Sequence, residues 1–580
     1  MRRLYSLLLV VQLASYSHAQ DGSAARSRDV LALERISLIS DLQALDARAG
    51  QLEKPLARAS ARAEIADAAW ALDREWAKRL LREAYQLTFP SEEARAWLRR
   101  VPVGTLVKPS AEDGARWVVR RRLMSIAGRE PAFAEELVQL GVEQLGRAEG
   151  HERYSELAEL AASRRDLDSA ARYVRQAFEA EPTQMGTLRP VFEIASQDRA
   201  AADRLIVQYI ELLNSVPLSS RNASDARVLL TLNMLTHPSL TYSETGGREI
   251  APAGLAAMRA WLGFMLDFIA RGEETQPGSL QRSRELLLSL WPELKKYAPD
   301  LIGRFREMEM LSRSPGDKVS WPPPDMREKF KKQREELTKS LVESGEADPG
   351  VITLLIDRGE IAGARRLLEK LADGPAKTDL LNKLDAKEAL SLLKKGDLTG
   401  VRVLASRLTK ATYILQVYPP VVEKCAANRD KPCAAEAVYQ AVRQLKQADT
   451  APPVLPPGVP TSVLPTPREH DPVLSSLCKL AQSVMPLDEA LGFEVLNEMV
   501  ASANASDIDT SLGRVGFEAD IFKQTAQRDE PRARQAALSF KDSLRQVVAL
   551  ASIYKWKAEE LAKAEGPGPK VNRPRASLPE

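Results

Sequence analysis

Apolar side chains recur every three or four positions along nearly the whole chain after Asp29. That is the helical period, because about 3.6 residues make a turn and a stripe at i, i+3, i+4 and i+7 covers one face. Alternating apolar-polar runs, which mark half-buried strands, are almost absent, and β-branched clusters are rare. The pattern predicts an all-α chain. Two stretches repeat each other 37 residues apart, RGEIAGARRLLEKL from Arg358 to Leu371 and KGDLTGVRVLASRL from Lys395 to Leu408. Each opens on glycine and an acid, sets a small residue at Gly363 or Gly400, and matches Leu367 with Leu404 and Leu371 with Leu408. A fixed period of this size marks stacked helical hairpins. The expected architecture is an α/α superhelix of antiparallel hairpins. A third member is expected from Asp430 to Leu445, with Leu445 placed 37 residues after Leu408.

The best-formed unit runs from His151 to Pro182, HERYSELAELAASRRDLDSAARYVRQAFEAEP. Small residues at Ala158, Ala170 and Ala177 allow two helices to approach within the short end of about 8–10 Å. Asp166 and Asp168 sit at the start of the second helix, where the dipole favours negative charge. Pro182 cannot continue that helix and ends it. The unit resembles a tetratricopeptide repeat, with Tyr154 and Leu157 at that family's bulky positions, the three alanines at its small ones, Val174 at its next large one and Pro182 closing it. It departs from the family at Arg165, where a turn glycine is usual, and at Ala161, where tyrosine is. The resemblance implies a helical-repeat protein. A looser copy, Ala77, Leu81 and Ala84, keeps the spacing of Ala170, Val174 and Ala177, and Asp529 to Phe540 reads as another second helix.

Breaks in the pattern divide the chain. Residues 1–19 read as a signal peptide: Met1-Arg2-Arg3 is basic, Leu4 to Ala14 is apolar, and Ser17 and Ala19 are the small residues before a cut between Ala19 and Gln20. The apolar run is about eleven residues long, too short to cross a bilayer of roughly 30 Å as a helix. Helical repeats follow over 20–311, then a break at 312–325 containing Trp321-Pro-Pro-Pro324, then central repeats over 326–448. A Pro-rich loop or linker spans 449–472, C-terminal hairpins 473–565, and a disordered tail 566–580.

Charge and chemistry narrow the function. Lys and Arg number 82 against 79 Asp and Glu, so the basic surplus of a nucleic-acid binder is missing. Arg116, Arg120, Arg121 and Arg122 read as a solvated face. Aromatics make up 6% of the chain, few for the stacked platforms of a carbohydrate cleft. Trp70 and Trp76 read as core. Met258 to Ala270, the most apolar stretch, carries Arg259 and Asp267 and reads as a buried helix. No transmembrane span is expected in the mature chain. His151, His237 and His470 have no metal-ligand spacing around them and read as surface or capping residues. Neither a Gly-rich phosphate loop nor a nucleophile elbow occurs, so no catalytic, cofactor or metal residue is assigned.

Cys425 and Cys433 flank the turn Asn428-Arg-Asp-Lys-Pro432. Their placement on facing ends of a hairpin predicts a disulfide, in keeping with an oxidising periplasmic or extracellular compartment. Cys478 is expected buried in a helix from Leu474 to Val484. The function expected of this architecture is an exported scaffold that binds another protein or peptide. A glycan- or small-molecule-binding helical protein and a polysaccharide-active enzyme on an α/α scaffold are the alternatives. The glycan reading needs exposed rings among Trp97, Trp117, Trp261, Trp291 and Trp321. The enzyme needs two carboxylates about 5–9.5 Å apart in a pocket.

Overall fold

The computed structural model describes residues 28–92, 111–180, 189–215, 251–275, 287–288, 290–312, 336, 347–448 and 471–565. The predicted cleavage site at Ala19 and Gln20, Pro182, most of the 312–325 break, residues 449–470 of the Pro-rich segment, the 566–580 tail, His237, His470, Trp97 and Trp321 lie outside them. Helices account for nearly all the ordered structure, and no strand occurs among the described residues.

The first part of the array comprises α1 (Arg28–Gly50), α2 (Pro55–Ala69), α3 (Arg74–Leu87), α4 (Ala111–Ala127), α5 (Pro131–Leu145), α6 (Arg147–Ser163), α7 (Leu167–Ala180), α8 (Arg189–Ala195), α9 (Arg199–Ser215), α10 (Leu255–Thr275), α11 (Trp291–Tyr297) and α12 (Ile302–Leu311). The second comprises α13 (Pro349–Arg358), α14 (Ile361–Lys370), α15 (Pro375–Lys395), α16 (Leu398–Ala405), α17 (Ala411–Ala427), α18 (Lys431–Gln447), α19 (Pro472–Val484), α20 (Glu489–Ala505), α21 (Asp520–Ala526), α22 (Glu530–Leu538) and α23 (Ser543–Glu565). Met258 to Ala270 lies inside α10, largely buried, as its composition predicts.

One rule builds the hairpins. The residue before each second helix is an acid: Asp73, Glu130, Asp166, Asp198, Glu360, Asp397, Asp430, Asp488 and Asp529. Each of the aspartates accepts a hydrogen bond from the backbone N–H three residues on, as Asp73 does from Trp76 (2.9 Å) and Asp430 from Cys433 (3.0 Å). An orphan donor of the first turn is thereby satisfied and a negative charge sits at the positive end of the dipole. Four residues after the acid stands a small or slim side chain packed against the first helix: Ala77, Ala134, Ala170, Ala202, Ala364, Val401, Ala434, Gly492 or Ala533, all buried. At Gly492 a Cβ would lie 2.8 Å from the Cα of Met485, so only glycine fits that crossing. Val174 and Ala177 follow eight and eleven residues after Asp166, both fully buried, with Tyr154, Leu157 and Ala158 facing them in the core.

The turns into Asp166, Glu360, Asp397 and Asp430 share a further device. The residue before the acid is left-handed (Arg165 φ 62°, Gly359 81°, Gly396 84°, Arg429 58°). The acid's own N–H then bonds the carbonyl five residues back, at Ala161, Leu355, Leu392 and Cys425, over 2.9–3.1 Å. This closes the preceding helix. Arg165 thus holds the conformation for which a glycine would be usual.

The same frame corrects the third copy of the 37-residue repeat. Its capping acid, Asp430, falls 33 residues after Asp397, so Ala441 rather than Leu445 is the counterpart of Leu371 and Leu408. It also explains the disulfide. Cys425 and Cys433, with Cα atoms 5.7 Å apart, hold their sulfurs at disulfide distance. They occupy the positions of Leu392 and Gly400 in the hairpin before, where a Cβ on Gly400 would come within 2.8 Å of the Leu392 Cδ1. A covalent bridge replaces a leucine-on-glycine contact. Cys425→Leu with Cys433→Gly is therefore expected to fold normally and to lose only the cross-link's contribution, about 2–3 kcal/mol for so short a loop, read by urea melts beside the oxidised parent. Cys478 is fully buried in α19, also as expected, and burial pushes its thiol up to about 12.

Between hairpins, first helices stack on first helices: α13, α15, α17, α19, α21 and α23 in turn, and α2, α4, α6 and α8 in turn. Several second-helix pairs, such as α14 with α16 and α5 with α7, make no comparable contact, so the first helices line the inside of the curve. The two series are one, because α23 packs on α2. Helix α23 also packs on α1. Arg35 near the start of α1 pairs with Glu565 at the end of α23 (2.9 Å), and Arg48 near the end of α1 donates to Gln546 near the start of α23 (2.6 Å). The helices are antiparallel, and the two ends of the described chain together form one more hairpin of the array. Helix α2 lies at the centre of this join. It touches α1, α3, α4 and α23 and is rich in alanine, with Ala57, Ala59, Ala61, Ala63, Ala66 and Ala69 buried on all sides. Small side chains let four neighbours approach at once.

Candidate functional site

Two places gather polar side chains into concave surface. The first is the join itself. Asp67, in the last turn of α2, has no exposed side-chain surface and accepts from Arg122 of α4 (2.9 Å), from Lys555 of α23 (2.9 Å) and from Arg129 just after α4. Burial raises its carboxyl, and the three cations, Arg122 foremost, more than offset this and hold it below the ordinary carboxylate range. Arg122 also grips both oxygens of Glu64 (2.6 and 2.9 Å), which raises the guanidinium further. The solvated face expected of Arg116, Arg120, Arg121 and Arg122 is thus corrected at Arg122. It lies over Glu64 and Asp67, carboxylates distant in sequence that local spacing does not reveal. Arg116 instead pairs along its own helix with Glu112 (2.5 Å) and Asp113 (3.2 Å).

Beside this network lies a cleft of about 230 Å³, whose polar lining includes Glu64, Arg122, Arg514, Glu518 and Asp520. The loop from Gly513 presses on α2, where a Cβ on Gly513 would stand 2.6 Å from the Leu56 carbonyl, and φ there is +76°. Two of its carboxylates are engaged, Glu64 by Arg122 and Glu518 by the Ser475 hydroxyl (2.9 Å), and Asp520 lies 4.0 Å from Lys555. The cleft is built as a seam between the chain's two ends.

The second place is the outer face of α18, α20 and α22, three consecutive second helices that do pack on one another. Between α18 and α20 lies a depression of about 330 Å³ over Val438, Val442, Leu491 and Val495. Between α20 and α22 lies one of about 350 Å³ over Phe493, Val500 and Ala536. Asn497 lines both, and Ala501 joins the second to a wider hollow at the end of α20, between Lys446, Asp471 and Ile508. Asn497 stands on the crest between the two depressions, and Ala501, one turn on, stands between the second depression and the hollow. Glu494 accepts from the Tyr439 hydroxyl (2.7 Å), which raises the phenol, and Glu498 pairs with Lys446. Arg532 lies with its guanidinium carbon 4.3 Å from the Phe493 ring centroid, a cation–π contact that fixes its position. It has no carboxylate partner among the described residues, and Asn497 makes no side-chain hydrogen bond among them. Asn504 is committed, donating to the Ser539 carbonyl (2.9 Å) and accepting from the Lys541 N–H (2.8 Å), which ties α20 to the end of α22.

Among the described residues, the rings a glycan site needs are not presented. Trp261 is buried, Trp117 and Trp291 are half-buried, and Tyr439, 56% exposed, is the single aromatic among the strongly exposed large side chains of the described residues. Trp76 is buried and Trp70 half-buried against Phe133, as their core reading requires. His151 departs from its surface reading, being 2% exposed within α6. No group of three or more His, Cys, Asp or Glu poised for a metal ion occurs among the described residues, and no helix among them is long and apolar enough to cross a membrane.

A scan of known protein families finds no match to this chain, and a search of curated proteins finds none. Among solved structures the chain is similar to a "Circular tandem repeat protein with novel repeat topology and enhanced subunit contact surfaces". The identity is 15%, the match covers 92% of this chain and 100% of that one, and the TM-score is 0.20. The helical-repeat fold described above rests on this chain's own hairpins.

Proposed function

We propose that this chain is an exported helical-repeat scaffold that holds a protein or peptide on the face of α18, α20 and α22. The observation that carries the reading is that face: two apolar-floored depressions that share Asn497 in their lining, the second edged also by Arg532, and neither side chain has a polar or acidic partner among the described residues. The other polar cluster described, around Asp67, joins α2, α4 and α23. Export is supported by the signal-like start ending at Ala19 and by the Cys425–Cys433 bridge, which suits an oxidising compartment. The depressions carry neither stacked rings nor a pair of free carboxylates, which favours binding of a macromolecule over glycan capture or hydrolysis.

The test is site-specific photocrosslinking in the native host. A benzophenone amino acid at Asn497 is expected to trap a discrete protein adduct, and the same group at exposed Arg175 on α7 to trap none. Absence of an adduct from Asn497, together with tight binding on a glycan array, would overturn the proposal.

A further inference from the structure

The occupant of the α18–α20–α22 face can be specified from its spacing and charge, an inference that rests on reading that face as an interaction surface. Neighbouring helices lie about 8–10 Å apart, so the two depressions flanking α20 are separated by about that distance. In a flat extended strand, side chains on one face recur at about 6.6 or 13 Å, missing this interval. A polyproline II segment places side chains i and i+3 on the same face about 9.3 Å apart, and matches it. Such a segment has no internal hydrogen bonds, and Asn497 on the crest offers both an amide donor and an acceptor to its exposed backbone.

Charge fixes the rest. On the first side of the crest the apolar floor of Val438, Val442, Leu491 and Val495 takes an apolar side chain, and Glu494 and Glu498 above it are answered by Tyr439 and Lys446. On the second side the guanidinium of Arg532, held on Phe493, lacks a carboxylate. We infer that the face recognises a polyproline-type segment carrying an apolar residue and, three positions on, an acidic side chain that pairs with Arg532.

The experiment is fluorescence polarisation on the full mature chain with four labelled, amidated peptides in a proline background: Leu-Pro-Pro-Asp, Leu-Pro-Pro-Lys, Leu-Pro-Asp and Leu-Pro-Pro-Pro-Asp. The first is expected to bind best, about tenfold tighter than its lysine counterpart, the order of effect when an ion pair becomes a repulsion. In Arg532→Glu the aspartate–lysine order reverses, whereas Arg366→Glu on α14 leaves it unchanged. Arg532 is exposed, so that variant melts like the parent, which circular dichroism checks. Equal affinity for the four peptides, no binding at millimolar peptide, or an aspartate preference surviving in Arg532→Glu overturns the inference. If any of these accompanies an intact Asn497 cross-link, the scaffold reading stands and only the identity of its occupant fails.

Discussion

Asp67→Asn is expected to lower stability by about 3 kcal/mol at neutral pH, the low end for breaking a buried ion network. The substitution leaves Arg129 without its carboxylate and Lys555 with only Asp520 at 4.0 Å, whereas Arg122 keeps Glu64. The low end applies because Arg122 and Arg129 are each about one-third open to water and can be resolvated. The pH dependence has a definite sign. The folded pKa of Asp67 lies below the ordinary 3.8. Its contribution is therefore complete above that value and is lost as pH falls through the lowered one, since the unfolded chain takes up the proton first. Urea melts from pH 7 downward should show the parent losing this stabilisation below 3.8 and the variant lacking that component. Hydrogen exchange should show α23 and α2 losing protection in the variant ahead of α17 and α18. Parent-like melts at neutral pH would show that the network contributes nothing.

Cutting the chain between α12 and α13 should leave its two parts together. The first-helix series runs without interruption from α13 to α23 and on through α2 to α8, so the covalent order and the packing order differ. A protease site placed within residues 313–346, cleaved to completion, is expected to give fragments that co-elute in size exclusion. Stopping the chain at Asp542 removes α23 and should separate them after the same cleavage. Separation with α23 present would place the bond between the parts elsewhere. The arrangement also predicts that a circular permutant joining Glu565 to Arg28 and opening within 313–346 folds.

The hairpins were legible because their signals are local. An acid, a small residue four places on and apolar residues at eight and eleven can be read in Asp166–Ala177 or Asp73–Ala84 without a structure. The disulfide was legible for the same reason, both cysteines lying beside one turn. Leucine spacing does not place the third repeat, whereas the capping acid does, because the hairpins differ in first-helix length, α15 having 21 residues and α17 having 17. The join has no such local signal, since contacts such as Arg35 with Glu565 leave no periodic trace. A trace of it existed in α2, whose small apolar residues run right round the helix, the pattern of an element buried on every side. The candidate face was invisible for a different reason. Asn497 and Arg532 are ordinary surface residue types, and only the packing of α18, α20 and α22 brings them to one rim.

The hairpin shared by α1 and α23 has a consequence for biosynthesis. Until α23 has left the ribosome, α1 and α2 lack the helix that covers one side of each, so the nascent amino-terminal part stays incompletely packed throughout synthesis. A message cut short within α23 yields a chain whose first helices keep that side uncovered, and so exposes to proteolysis the end opposite to the damage.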